Sequence, residues 1–225
     1  MTTASRLLRE VAAGRHLARA GDCEQLRRSD VRVLAWLAEQ YGAPADQLEL
    51  LLGCSLRTVQ RTVARLRQAG LVHTLRMLVG DPAWVIPTTA GIRVAGYSFP
   101  AWRPRVGLLA HVAAVNGVRL HVQERSRQAE WVSERLLALE RGTGEHLPDG
   151  LAVFDGQRVA VEVELTVKSM RRTQAILDDL ARRFDAIAYF CAPGPQRQLS
   201  ALAASGRWPS LTVRELPSGS PRPLP

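Results

Sequence analysis

Lysine is almost missing from this chain: of its 30 basic residues every one but Lys168 is arginine, a bias in which a retained lysine invites a chemical reason, the alternative being chance. Long apolar runs are missing too. None approaches the roughly 20 residues that span a bilayer, and the first nine residues lack the apolar stretch of a secretory signal, so a cytoplasmic chain with no membrane partner is expected. Cysteine is scarce. Cys23, Cys54 and Cys191 lie far apart without CxxC spacing, which argues against a disulfide framework or a structural zinc site. The phosphate loop GxxxxGK[ST], HExxH, GxSxG and GxGxxG are all absent, leaving ATPase, zincin, hydrolase-elbow and dinucleotide readings without their motifs. The histidines show no ligand spacing. Tyr41, Tyr97 and Tyr189 have no histidine cluster beside them, as covalent nicking by a relaxase would require.

What is present is arginine and a sufficient core. With 46% hydrophobic residues in 225 and a formal charge of +9, the chain can build one or two ordinary cores and must expose positive surface, for which phosphate backbones are the commonest partner. Residues 1–28, with Arg6, Arg9, Arg15 and Arg19, read as a basic arm or a solvated helix face.

Residues 29–100 read as a winged helix-turn-helix. Val31, Leu34, Leu37 and Ala38 recur at helical spacing after a cap at Ser29 and stop at Gly42. A second helix starts with Pro44 in its first turn and stops at Gly53. The third is capped by Ser55 and ends at Gly70, with Val59, Val63 and Leu66 on its apolar face. Its polar side places Arg57, Thr58, Gln60, Arg61 and Arg65 where a recognition helix needs donors for phosphates and base edges; the competing reading is a solvated arginine-rich helix. Two β-prone runs around Gly80-Asp81-Pro82 predict a wing, Thr88 to Ala95 a closing helix, and Pro100 to Pro104 a border near residue 100.

Residues 101–216 read as a mixed-sheet α/β domain, giving an α+β chain overall, with 217–225 as a tail. Helices are expected at Leu108–Val115 and around Trp131–Leu139; Leu108, Leu109 and Val112 could serve either a homodimer or a core. Asp155-Gly156 between β-prone runs predicts a hairpin in which facing residues sum to 311, so that Asp149 faces Glu162. Glu164 shares the face of Glu162 by strand alternation. Facing carboxylates repel, and a divalent cation, Mg²⁺ or Mn²⁺, held by Asp149 and Glu162 would relieve that repulsion. It could also activate a water against a phosphodiester, with Lys168 positioning the water or neutralising the phosphate. Equally, EVELTVK can be the solvated face of an edge strand and Asp149 the start of a turn. A helix over Ser169–Phe184, a strand at Ala186–Ala192, a helix near Gln196–Ala204 and a strand at Leu211–Leu216 complete the expected sheet, and Arg171, Arg172, Arg182 and Arg183 could line a DNA path.

The winged-helix pattern, the TTAG segment, HLPDG and the following VEVELTVKS together resemble the replication-relaxation family of plasmids and integrative elements, over roughly residues 29–192. That resemblance implies a role in plasmid replication or in DNA relaxation during transfer; a relaxase or replication protein is the partner expected where the chain acts as an accessory factor. The Pro148-Asp149 and Glu162 positions are also similar to the PD-(D/E)XK nucleases, which implies Asp149, Glu162, Glu164 and Lys168 as catalytic residues. Glu164 stands where that pattern usually has lysine, Lys168 being the displaced candidate, and Glu134 or Glu130 would be the additional acid from an upstream helix. Alternatives are a catalytically silent accessory factor or transcriptional regulator, and a restriction or phage-defence effector.

Overall fold

The computed structural model describes residues 26–76, 80–126, 128–139 and 145–217, and divides the chain into two compact units, Met1–Val106 and Gly107–Pro225. The expected basic arm, apart from its last three residues, and the tail from residue 218 lie outside the described residues, as does Cys23.

The first unit runs α1 (Arg28–Glu39), β1 (Ala43–Pro44), α2 (Ala45–Leu52), α3 (Leu56–Gln68), β2 (Val72–Leu75), β3 (Trp84–Pro87) and α4 (Thr89–Val94). Three helices followed by an antiparallel hairpin, with β1 pairing the far side of β3 in the order β1-β3-β2, is the winged helix-turn-helix arrangement. Gly42 makes the first pairing possible: its φ is +122°, and a Cβ there would stand 2.8 Å from the Val85 carbonyl oxygen. The core is built from Val33, Leu34 and Leu37 of α1, Leu48 of α2, Val59 and Leu66 of α3, and Val85 and Ile86 of β3.

Four expectations change in detail. Ser29 does not cap α1; the chain enters at Arg27, whose N–H donates to Asp30 Oδ2 at 3.0 Å. Pro44 precedes α2 in extended backbone, because its ring suits the short β1 bridge. Thr62 takes the buried place on α3, and Val63 is only half-buried. The division between units falls after Val106 and not near residue 100, because Trp102 packs on Tyr41 and Trp84 at centroid distances of 5.7 and 6.0 Å.

The second unit runs α5 (Val106–Arg125), β4 (Glu130–Ser133), α6 (Glu134–Leu137), β5 (Gly150–Phe154), β6 (Gln157–Glu164), α7 (Met170–Arg183), β7 (Ala186–Cys191), α8 (Pro193–Ala204) and β8 (Leu211–Glu215). Its sheet has the order β4-β5-β6-β7-β8, antiparallel up to β6 and parallel after it, so that α7 and α8 supply the crossovers that parallel pairs need. The β5–β6 register sums to 311 as the turn predicts, from Phe154 opposite Gln157 to Gly150 opposite Val161. Val161 and Val163 lie on one face with Ala114, Val115 and Val118 of α5 and with Trp131, Ala152 and Phe190.

Here the expected helix over Trp131–Leu139 gives way to a strand and one helical turn. Trp131 and Val132 are β-formers paired with Ala152 and Leu151, and Ser133 then caps α6 by accepting the Leu136 N–H at 3.4 Å. Leu109 and Val112 are buried within the chain and are core residues; Leu108 is 46% exposed.

Candidate active site

Strands β5 and β6 are antiparallel, so the start of one meets the end of the other. At that end Gly150 lacks a side chain for a concrete reason: a Cβ would stand 2.1 Å from the Trp131 ring. The chain therefore passes tightly over Trp131 and delivers Asp149 one residue beyond the ladder. The expected pairing of Asp149 with Glu162 is replaced by a bond to the strand itself, Asp149 Oδ2 accepting the Val163 N–H at 2.7 Å. The other oxygen, Oδ1, lies 2.9 Å from His111 Nε2 on α5.

Glu162 and Glu164 are both buried, at 3% and 7% exposure, and so are not the solvated face of an edge strand. Burial is the main force on Glu162 and pushes its carboxyl up to about 7; the nearby Asp149 charge adds to this, while the hydrogen bond to His146 Nε2, 2.9 Å from Oε1, opposes it. Glu164 Oε2 takes Lys168 Nζ at 2.6 Å. Glu164 Oε1 accepts the Thr166 N–H at 3.4 Å. Lys168 is near enough to Glu162 and His146 for its charge to act on both. Asp149, Glu162, Glu164 and Lys168, the first on the entry to β5 and the others at or just past the end of β6, thus gather at one end of the sheet.

Two histidines join them that spacing in the sequence did not reveal. Burial pulls the His111 imidazole down, but the hydrogen bond and charge of Asp149, with the charges of Glu134 and Glu162, outweigh it and leave the ring above its ordinary value. His146 behaves likewise: burial lowers it, and Glu162 and Asp149 raise it further than burial and the Lys168 charge lower it. The position of His146 is fixed through its backbone, which donates from N–H to Asp179 Oδ2 at 3.1 Å and accepts from Arg183 through its carbonyl. Arg183 also pairs with Asp179 at 2.5 Å and Glu145 at 3.5 Å, and Arg182 with Asp179 at 3.0 Å. Arg183 thus ties α7 to the HLPDG loop, while Arg182 pairs only within α7 and keeps its side chain 68% exposed. The one hint in the sequence was that His146 opens the segment carrying Asp149.

Glu134, at the start of α6, reaches this neighbourhood by its effect on His111, whereas Glu130 is exposed on β4. The donor set is carboxylate oxygen with imidazole at its rim. Two carboxylates with water completing the shell is a combination that Mg²⁺ and Mn²⁺ accept, so the residues fit a hard divalent cation. Among the described residues no three His, Cys, Asp or Glu side chains form a ready-made ligand group, each carboxylate being engaged by its own partner.

In the first unit, Arg57, Thr58, Gln60 and Arg61 are exposed along the first two turns of α3. Arg65 is not available with them. Its Nε and Nη2 donate to Asp30 Oδ2 at 3.0 Å and Oδ1 at 2.5 Å, and Asp30 is fully buried, so the guanidinium fastens α3 to α1. The expectation that Arg65 contacts DNA is corrected on that ground.

No helix among the described residues is long and apolar enough to cross a membrane. No family model matches the chain, and neither does any curated protein. One solved structure, named Multiple Antibiotic Resistance Repressor, MarR, aligns over 55% of this chain and 81% of its own at 20% identity. The TM-score of 0.31 is too low to carry an argument about fold or function.

Proposed function

We propose that the chain binds duplex DNA through α3 and cleaves it with a divalent cation at the Asp149–Glu162 site. The observation that carries this reading is the convergence of Asp149, buried Glu162 and the Glu164–Lys168 pair at one end of a mixed sheet. Burying carboxylates together is costly unless a cation or a proton donor compensates, and sites of this kind are disproportionately functional. Asp149 and Glu162 would hold Mg²⁺ or Mn²⁺, which when bound supplies charge stabilisation at the phosphodiester and a more acidic water. Lys168 presents a compact ammonium at the same place, where a planar arginine fork would fit a single carboxylate oxygen less well.

The order α5, β4, the short α6, β5, β6, α7, β7, with β4–β6 antiparallel and β7 parallel to β6, supports the PD-(D/E)XK reading, with Glu164 in the usual lysine position and Lys168 as its replacement. Exposed Arg57, Thr58, Gln60 and Arg61 on a winged-helix recognition helix support the DNA reading. Action in plasmid replication, relaxation or transfer beside a relaxase or replication protein follows from the resemblance of HLPDG and VEVELTVKS. A homodimer would bind a two-fold symmetric site.

One observation favours a second reading, in which the site is silent and the chain is an accessory factor or regulator: His111 and His146 already satisfy the two carboxylates. Supercoiled plasmid incubated with Mg²⁺ or Mn²⁺ and either the wild type or Asp149→Ala separates the two. Nicking or linearisation by the wild type alone supports the nuclease; a stable DNA complex without cleavage under either metal supports the silent factor.

A further inference from the structure

We infer that the exposed ridge from Thr166 to Arg172 is the surface on which the second unit receives a DNA strand, Arg171 and Arg172 taking backbone phosphates and Val167 and Met170 lying against sugar and base faces. This rests on the reading of the neighbouring acidic site as a phosphodiesterase centre. The ridge follows β6 with only Leu165 between Glu164 and its first residue. Along it Thr166, Val167, Ser169, Met170, Arg171 and Arg172 are all exposed, and only Lys168 turns inward to the site, where it meets Glu164 at 2.6 Å.

Its backbone is held. The Lys168 carbonyl accepts from Gln198 Nε2 on α8 at 3.2 Å, Ser169 Oγ accepts the Arg172 N–H at 3.4 Å, and the Ser169 carbonyl accepts from Thr173 Oγ1 at 3.2 Å. A surface fixed in this way loses little conformational entropy on meeting a ligand.

The composition then selects the ligand. Val167 is 63% exposed and Met170 46%, the Met170 sulfur 3.9 Å from Gln198 Nε2, and both present apolar surface to water beside two arginines. Neither arginine forms an ion pair among the described residues, in contrast to Arg182, Arg183 and Arg207 on and beside the same helix. The first turn of α7 has no acidic residue to balance them. Cations interleaved with exposed apolar groups match a polymer that alternates phosphates with the apolar faces of sugars and bases. An acidic protein would satisfy the arginines but gives no reason for the ridge to end in a phosphodiesterase-type site. A nucleic-acid strand does: once on the ridge, its next phosphate lies toward Lys168 and the carboxylates.

The test is salt-dependent binding of a random-sequence duplex in EDTA, with the full chain carrying Arg57→Ala/Arg61→Ala so that α3 does not mask the second unit. Adding Arg171→Ala/Arg172→Ala should reduce the steepness of log K against log[salt] by about two, one for each phosphate deprived of its arginine. Arg207→Ala, which removes a guanidinium committed to Asp178 at 2.8 Å, should leave the slope unchanged. Val167→Ser/Met170→Ser should weaken binding at every salt concentration without changing the slope. An unchanged slope in the double arginine variant, an equal fall from Arg207→Ala, or no binding in this background would overturn the inference. Because EDTA removes any need for cleavage, a fallen slope in a protein that never cuts plasmid keeps the ridge and refutes the nuclease, while cutting with an unchanged slope does the reverse.

Discussion

Replacing Arg65 by alanine should destabilise the winged-helix unit more than replacing its partner Asp30, although each change deletes the same ion pair. The asymmetry follows from exposure: the Asp30 side chain is completely buried, whereas the Arg65 side chain is 31% exposed. Without Asp30 the guanidinium can turn to water, and the loss comprises a half-exposed pair plus the bond to the Arg27 N–H, together roughly 1–2 kcal/mol. Without Arg65 a carboxylate stays in the core with one N–H donor at 3.0 Å, and stranding a buried charge costs about 3–5 kcal/mol. Hydrogen exchange read on peptides from α1 and α3 measures both, with β6 and β7 of the other unit as internal control. The pH dependence sharpens the test. In the wild type, burial raises the Asp30 carboxyl but the bonds and charge of Arg65, helped by Arg27, outweigh it and hold it below the usual range. Its contribution is therefore complete above the unfolded pKa of about 3.9 and is lost as pH falls through the lower folded value. In Arg65→Ala the effect of burial is left unopposed by Arg65, the carboxyl rises, and acidification relieves the stranded charge, so the deficit against the wild type should shrink toward pH 4. Equal losses in the two single variants, or a deficit that grows on acidification, would refute the reasoning.

Other side chains give further outcomes. Gly150→Ala should cost about 1–3 kcal/mol in urea denaturation followed by tryptophan fluorescence, because the new Cβ meets the Trp131 ring at 2.1 Å; it should also displace Asp149 and lower any cleavage. Arg57→Ala and Arg61→Ala should each weaken duplex binding in a mobility-shift assay, by about 1–3 kcal/mol where the side chain reads a base edge and by less, uniformly across sequences, where it meets a phosphate. His146→Ala removes the donor at 2.9 Å from buried Glu162 and should destabilise the second unit unless a divalent cation is added, which thermal melting with and without Mn²⁺ would show.

The parts of this fold that were legible in the sequence are those set by local chemistry. The Asp155-Gly156 turn fixed the β5–β6 register, and Gly53, Ser55 and Gly70 bounded the turn and α3. Alternation placed Glu162 and Glu164 together, and the lone lysine proved to be paired with Glu164. What was misread depends on residues distant in sequence. Arg65 resembles its exposed neighbours until Asp30, 35 positions earlier, is brought beneath it. The four residues of β4 carry too short a pattern to oppose a helical reading, and become a strand because β5 offers its edge and Gly150 its space. His111 lies on a helix 38 positions from Asp149, so only tertiary structure makes it part of the site.

Whether Asp149 and Glu162 hold one divalent cation decides the proposed chemistry, and titration of Mn²⁺ followed by loss of its free-ion EPR signal tests it directly. Wild-type protein should bind one Mn²⁺ per chain at this site, and both Asp149→Asn and Glu162→Gln should lose it while remaining folded. Equal binding by all three proteins, or none by the wild type, would contradict the metal site and leave a closed network of carboxylates and histidines in its place.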